Sequence, residues 1–306
     1  MKKVLLFLLL ISLQGTSQAQ NKSVAATHTF SGSATDTAQI GQQLRLTQQY
    51  LLSDPQTAFD HATAARLQAE KIYYRAGEAR ALNLMGKALL IMGNYDKGLR
   101  AHLEALKISE KIADSRLITD SNLGLAIMYH KMDDLGRAFQ YCKAAAAISK
   151  KSGYTTGLAK SYNSLGVLYQ HKKEYRQALH FFRKAASLHE EVGDARALGV
   201  ALLNIGDVHL FLDDPANGLP YLFEALRLTE ETGDKMIRVT TLKGISKLYQ
   251  ALGKRNGRQH ALAQPLWDSG LYEARLLVAF IADPTQLTTT QMDRWCRQFD
   301  NWAVCD

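Results

Sequence analysis

The amino-acid sequence predicts an all-α protein, a right-handed α-solenoid of about five 40-residue helix pairs followed by a short helical C-terminal segment. Two observations predict this fold. Residues of one chemical type recur every 40 positions, and no segment alternates apolar and polar residues with the two-residue period of a strand. The composition of 306 residues, 46% hydrophobic and 22% charged, provides enough apolar material for a core and argues against a disordered chain.

The N-terminus carries the features of a secretory signal peptide. Lys2 and Lys3 precede a ten-residue, mainly apolar run, which is too short to span a bilayer at about 20 residues per crossing. The small residues Ser17 and Ala19 follow with the spacing of a cleavage site. Residues 1–19 are therefore predicted to direct export to the periplasm or the extracellular space, with a cytoplasmic location only if this signal is not used.

A second non-repetitive segment, residues 20–37, lies between the signal and the repeats. It is rich in Ser, Thr and Ala and shows no periodicity, which predicts a flexible leader. No later segment of about 18 apolar residues follows, so the sequence predicts no membrane span.

Four columns of residues, each spaced by 40 positions, define the repeat. In the first helix of each pair a small residue recurs at Gly86, Ala126, Gly166, Gly206 and Ser246. Three positions later the column is mainly aromatic, at Leu89, Tyr129, Tyr169, His209 and Tyr249. The second helix has a small column at Ala58, Gly98, Ala138, Ala178 and Gly218, and an all-alanine column at Ala65, Ala105, Ala145, Ala185 and Ala225. Small residues at fixed offsets allow two helices to approach closely, so these columns predict helix pairs.

The columns also place the helices in chain order. The predicted pairs are 38–52 with 55–73, 78–92 with 95–112, 117–132 with 135–152, 157–172 with 175–192 and 197–212 with 215–232, and a further helix spans 237–252. Between the pairs, a loop column reads Tyr73, Ala113, Gly153, Gly193 and Gly233. An acidic residue follows this column in three units, at Asp114, Asp194 and Asp234. Five pairs exceed the roughly three repeats that a stable stack needs.

This pattern resembles the tetratricopeptide repeat, whose helix pairs carry a small residue, an aromatic residue three positions later and further small residues in the second helix. The resemblance covers residues 38–252. The usual unit has about 34 residues, so the 40-residue unit predicts longer helices. The resemblance implies a scaffold that binds a protein or a peptide, of unknown identity, in a concave groove.

The first helices of the pairs are predicted to line that groove, because stacked pairs curl with one helix layer on the concave side. Polar residues at equivalent offsets of these helices are Arg80, Asn83, Lys87, Lys160 and Asn163, with the carboxylates Asp120 and Asp207 between and beyond them. Cationic and amide groups that project together suit a peptide backbone or a carboxylate. The alternative is that these are ordinary solvated positions of a groove.

Other functional classes find little support in the repeats. The formal net charge of +8 is a mild excess rather than the dense basic stripe of a nucleic-acid-binding protein. The chain contains no glycine-rich phosphate loop, no G-x-S-x-G elbow and no H-E-x-x-H spacing, so we expect no cofactor and no metal site. The repeats are therefore expected to be non-enzymatic.

The repeat register ends near residue 252, since Arg258 occupies a position that requires a small residue. All three tryptophans of the chain lie beyond this point, at Trp267, Trp295 and Trp302. The segment reads Leu266-Trp267-x-Ser269-Gly270, then Met292-Asp293-x-Trp295, then Phe299-Asp300-x-Trp302-x-x-Cys305-Asp306. In these runs, residues 253–306 resemble part of the HEAT-like domain of the DNA alkylation repair family.

That resemblance implies a glycosylase that removes alkylated bases from duplex DNA. The family places a tryptophan and a catalytic carboxylate four residues apart, and Trp302 and Asp306 match the two positions. Asp306 would stabilise the cationic sugar or activate water, and Trp302 would pack against the sugar of the lesion. DNA would be a partner only under this interpretation.

The sequence leaves several interpretations of residues 253–306 open: a relic, a product of gene fusion or truncation that caps the stack, or a working site. The chain ends at Asp306, so the helices that the family places after its carboxylate are missing, which favours a cap or a relic. Cys296 and Cys305 are predicted either to pair in an oxidising compartment or to remain free thiols.

Overall fold

The computed structural model describes residues 31–256 and 286–298. Every regular element in these two ranges is an α-helix, which confirms the predicted all-α fold. The helices are α1 Ala34–Tyr50, α2 Pro55–Lys71, α3 Arg75–Ile91, α4 Tyr95–Lys111, α5 Ser115–Lys131, α6 Leu135–Ser152, α7 Thr155–His171, α8 Tyr175–Glu191, α9 Ala195–Phe211, α10 Pro215–Thr232, α11 Lys235–Asn256 and α12 Thr289–Gln298.

Helices α1 to α11 form a stack in which each helix packs against its neighbours in the chain. Odd-numbered helices also contact the next odd-numbered helix, as α3 does with α5 and α5 with α7. The odd helices therefore form one layer and the even helices form the other, as in an α-solenoid. The predicted pairing is confirmed, and the predicted bounds differ from the observed ones by at most four residues.

Helix α1 begins earlier than the sequence predicts, because a capping box fixes its start. The Ser33 hydroxyl accepts a hydrogen bond from the Asp36 N–H, and the Asp36 carboxylate accepts one from the Ser33 N–H at 2.8 Å. These bonds satisfy backbone donors that a helix start leaves free. Residues 34–37 of the predicted leader are therefore the first turn of the helix.

The small columns bring the two layers into direct contact. The alanine column is fully buried at Ala65, Ala105, Ala145, Ala185 and Ala225. A Cβ atom placed on Gly98 would lie 3.3 Å from the carbonyl oxygen of Gly86 in the preceding helix. At Gly218 the distance to the carbonyl oxygen of Gly206 would be 3.1 Å. The backbones of paired helices thus touch, and these positions have no room for a larger side chain.

Each glycine of the inner small column faces a side chain sixteen positions later in the chain. The pairs are Gly86 with His102, Gly166 with Phe182 and Gly206 with Leu222. The facing side chains fill the space that the glycines leave, and each is at least 98% buried. The filling residue varies in size and polarity between repeats, whereas the residue opposite it is always small.

The connections from α2 to α11 each contain one residue with a left-handed backbone. Their φ angles lie between 54° and 75°, at Tyr73, Gly93, Ala113, Asp133, Gly153, Lys173, Gly193, Asp213 and Gly233. Glycine adopts this conformation freely, whereas a side chain adds a cost of about 1–2 kcal/mol. The loop column predicted from the sequence therefore reflects a backbone requirement, which Tyr73 and Ala113 meet at a cost.

The acidic residues after this loop column are helix caps. The Asp114 carboxylate accepts hydrogen bonds from the backbone N–H groups at the start of α5, at 3.0 and 3.1 Å. Asp194 does the same for α9 and Asp234 for α11. A capping aspartate typically stabilises a helix by about 1 kcal/mol. Together, the left-handed residue and the capping aspartate end one pair and begin the next.

A pair of loop substitutions tests the backbone requirement. Replacing Ala113, which has a φ of 55°, with glycine is expected to raise the free energy of unfolding by up to about 1 kcal/mol, because the side chain strains the loop. Replacing Gly193 with alanine in an equivalent loop is expected to lower it by about 1 kcal/mol. Urea unfolding followed by circular dichroism measures both.

The control is Ala147→Gly at an exposed position within α6. Glycine there lowers helix stability by about 1 kcal/mol, because no positive φ is required. If Ala113→Gly destabilises the protein as Ala147→Gly does, the proposed backbone strain is absent.

Candidate functional site

A cavity of about 490 Å³ lies on the inner face of the stack. Its lining comes from the inner helices α3, α5, α7 and α9, and the outer helices α4 and α8 each add one histidine. The lining residues that can form polar contacts include Lys87, His102, Asp120, Lys160, Asn163 and His189. Its volume falls within the range of about 300–1,000 Å³ that is typical of ligand pockets.

Three of the five groove residues predicted from the sequence line this cavity: Lys87, Lys160 and Asn163. The side-chain oxygen of Asn163 accepts a hydrogen bond from the Asn204 amide at 3.0 Å, so the next inner helix orients it. Arg80 is exposed on α3 outside the cavity lining, but its charge lowers the pKa of the Asp120 carboxyl.

The structure corrects the placement of Asn83, which is buried between helices rather than facing the groove. Its Nδ2 donates a hydrogen bond to the Ser121 hydroxyl at 3.0 Å, and its Oδ1 lies 2.9 Å from Nδ1 of His102. A buried amide needs such partners, because leaving it unpaired costs about 1–3 kcal/mol. Asn83 therefore holds a residue of the cavity wall instead of contacting a ligand directly.

His102, which Asn83 holds, is a neutral imidazole in that wall. Its ring is confined by Gly86 and Gly124, where an added Cβ would lie 2.4 Å and 2.2 Å from the ring atoms. Burial lowers the pKa of His102 to about 3, and the charge of Lys87 lowers it further. Near neutral pH this side of the cavity is thus polar but uncharged.

Charged groups of both signs share the cavity. The Lys87 side chain reaches solvent but lies within the concave wall of the stack. The surrounding protein lowers the pKa of Lys87, and the charge of Asp120 raises it. Burial raises the pKa of Asp120, and the cations Lys87, Lys160 and Arg80 lower it. The groups stabilise each other's charged forms against desolvation. The inner face therefore carries charged groups of both signs that burial partly desolvates.

The sequence patterns described above do not indicate the two histidines of the cavity, because neither histidine belongs to a metal-binding spacing. Equivalent positions to His102 are apolar, at Cys142, Phe182 and Leu222. Equivalent positions to His189 carry small residues, at Ala69, Ser109, Ser149 and Thr229, and three of these have a hydroxyl. Comparing the repeats of this chain with one another reveals both departures from the pattern.

The residues predicted for a glycosylase, Trp302 and Asp306, lie outside the described residues. Trp295 in α12 is described and is 7% exposed, which fits an aromatic residue packed in a core. The side chains of Cys296 and Cys305 also lie outside the described part, so their pairing stays a prediction. Cys142 is a free, buried thiol, and burial raises its pKa to about 12.

In residues 31–256 and 286–298, no three His, Cys, Asp or Glu side chains are grouped so that they could hold a metal ion. None of the helices described there is both long and apolar enough to cross a membrane.

The stacked pairs and the inner-face cavity define an α-helical repeat protein. Residues 115–191 match the family model of the tetratricopeptide repeat, and residues 236–306 match that of the DNA alkylation repair enzymes, so both resemblances are confirmed. The second match begins within α11, a helix that the sequence analysis largely assigned to the repeats. A search of curated proteins gave no significant match.

Solved structures with a similar fold include two complexes. The Rap conjugation gene regulator of the plasmid pLS20, in complex with the Phr* peptide, is 15% identical, with a TM-score of 0.60 over 91% of this chain and 79% of that chain. A Rap protein complexed with competence and sporulation factor is 12% identical, with a TM-score of 0.61 over 92% and 80%. Aspartyl phosphate phosphatase F from Bacillus subtilis is 13% identical, with a TM-score of 0.56 over 88% and 72%. At these identities the likeness concerns the fold.

Proposed function

We propose that this protein is an exported, non-enzymatic scaffold that binds a peptide or an extended protein segment in its inner groove. The observation that carries the proposal is the cavity in which Lys87, Asp120 and Lys160 come together from three successive inner helices. The solved structures of similar fold lend support, since one of them holds the Phr* peptide.

The chemistry of the groove suits a peptide. The ammonium groups of Lys87 and Lys160 donate hydrogen bonds to carbonyl or carboxylate oxygens, and the Asp120 carboxylate accepts them from amides or from a cationic side chain. The apolar residues Leu123 and Ile127 line the same cavity and offer contact for aliphatic parts of a ligand. Mixed polar and apolar lining is typical of binding pockets.

A charge reversal in the groove tests this function. Peptides are selected from a display library of random nonapeptides on the purified protein, and their affinities are measured by isothermal titration calorimetry. Lys160→Glu is expected to weaken binding at least tenfold, which corresponds to about 1.4 kcal/mol, because it places a second carboxylate beside Asp120. Arg80→Glu is expected to have a smaller effect, because Arg80 acts only through its charge.

The matched control is Lys107→Glu, which reverses an exposed charge on the outer helix α4. It is expected to leave the affinity within twofold of the wild-type value. Selection of no peptide by the wild-type protein, or equal loss of affinity in Lys107→Glu and Lys160→Glu, contradicts binding in this groove.

The alternative function rests on the match of residues 236–306 to the DNA alkylation repair enzymes. Under it, the protein releases alkylated bases from duplex DNA. Asp306 would stabilise the cationic sugar, and Trp302 would pack against it. The non-enzymatic proposal instead assigns this segment no catalysis.

A base-release assay separates the two functions. With methylated duplex DNA as substrate, we expect no release above the rate without protein. The control for the carboxylate is Asp293→Asn in α12, where Asp293 is exposed and pairs with Arg297. Release that is abolished by Asp306→Asn but unchanged in Asp293→Asn would establish the glycosylase function and refute the non-enzymatic proposal.

Export is the remaining part of the proposal, and it is supported by the signal-like pattern of residues 1–19. Mass spectrometry of the protein made in its own cells is expected to find an N-terminus at Gln20, outside the cytoplasm. Leu8→Arg interrupts the apolar run and is expected to prevent this cleavage. Recovery of the wild-type protein in the cytoplasm with residues 1–19 attached contradicts export.

A further inference from the structure

We propose that His189 determines the specificity of the groove by hydrogen-bonding, together with Lys160, to a carboxylate of the bound peptide. This inference rests on the proposed function and names the ligand group that the site recognises. Both residues line the same cavity, His189 from the outer helix α8 and Lys160 from the inner helix α7.

The His189 side chain is buried, neutral and incompletely paired. It is only 2% exposed, and its Nδ1 is buried without a hydrogen-bond partner among the described residues. Burial lowers the pKa of His189, the nearby Asp194 raises it, and Lys160 lowers it. The ring is thus neutral near pH 7, it carries a nitrogen without a hydrogen-bond partner among the described residues, and the residue lines the cavity.

The hydroxyl residues at positions equivalent to His189 are all paired within the fold. The hydroxyls of Ser109 and Thr229 donate hydrogen bonds to backbone carbonyls of their own helices, and the Ser149 hydroxyl bonds with that of Thr119. The hydroxyls of these three residues are therefore all paired within the fold. The Nδ1 of His189 is not paired, although a buried unpaired polar group destabilises a protein. Among these four repeat positions, only the one that borders the cavity carries a buried polar atom without a partner among the described residues, which points to binding.

The ligand group that fits His189 and Lys160 is a carboxylate. With its proton on Nδ1, the neutral His189 ring is a donor like the Lys160 ammonium, and a carboxylate can accept from both with its two oxygens. Two other charged groups that line the cavity already have partners. Asp194 caps α9 through the Ala197 N–H at 3.0 Å, and Arg196 forms an ion pair with Asp234 at 2.6 Å.

The chain offers a matched control in His209, a second buried histidine. Its Nδ1 lies 3.2 Å from the Asp214 carboxylate, and its Nε2 is buried without a partner among the described residues. His209 does not line the cavity. Tyrosine stands at equivalent positions, Tyr129, Tyr169 and Tyr249, so His209→Tyr restores the repeat, just as His189→Ser restores the hydroxyl column.

The test uses nonapeptides selected on the wild-type protein from a random display library, and each selected acidic peptide is compared with its Asn or Gln counterpart. The wild-type protein is expected to prefer the acidic peptide at least tenfold. His189→Ser is expected to lose most of this preference, and His209→Tyr is expected to keep it. Thermal unfolding shows whether both variants fold.

A measurement on the wild-type protein needs no variant. With ¹⁵N-labelled histidine, the ring nitrogen signals of His189 are expected to shift when the acidic peptide is added, while those of His209 stay unchanged. An unshifted His189 signal overturns the proposal.

The remaining outcomes separate this inference from the proposed function. If selected peptides lack a carboxylate, or if His189→Ser binds the acidic peptide and its amide counterpart as the wild type does, the role of His189 is refuted and groove binding stands. Equal weakening of both peptides by His189→Ser also refutes recognition of a carboxylate. If the wild-type protein selects no peptide, the proposed function fails and this inference fails with it.

Discussion

Direct contact between the two helices of each pair is the constraint on which the rest of the structure depends. A Cβ atom on Gly98 would lie 3.3 Å from the carbonyl oxygen of Gly86, and the alanine column of the outer helices is fully buried. Because the backbones touch at these positions, glycine and alanine there set the distance between the paired helices. All five pairs have a small residue at this contact position of the outer helix and stack regularly, so the inner helices form one continuous face. The groove exists because this face repeats.

The same packing leaves one variable position in each pair, opposite the small inner residue. His102 fills it in one pair, and Phe182 and Leu222 fill it in others. A space bounded by backbone accepts an imidazole, a phenyl ring or an aliphatic chain while the helices stay in place. The protein can therefore place a polar group in the groove wall without changing its fold, provided that the group finds partners. Asn83 and Ser121 meet that condition for His102, since Asn83 bonds to both.

Charge in the groove follows the repeat as well. Arg80, Asp120 and Lys160 stand at the same offset of three successive inner helices, so their signs alternate along the groove. The carboxylate of Asp120 lies within the field of both cations, which lower its pKa against the effect of burial. This alternation keeps charged groups ionised on a concave surface where desolvation opposes ionisation.

The sequence by itself determined the helix pairs, because the 40-residue columns report a packing requirement that every repeat must meet. It also identified Lys87, Lys160 and Asn163 as residues of one surface, since residues spaced by three, four or seven positions share one face of a helix and the inner helices repeat every 40 residues. Only the tertiary structure decided that Asn83 is buried and that His102 and His189 border the cavity. The environments of these residues depend on contacts between helices. Side chains of neighbouring helices decide whether a polar group is exposed to solvent, paired with a hydrogen-bond partner or left beside a cavity.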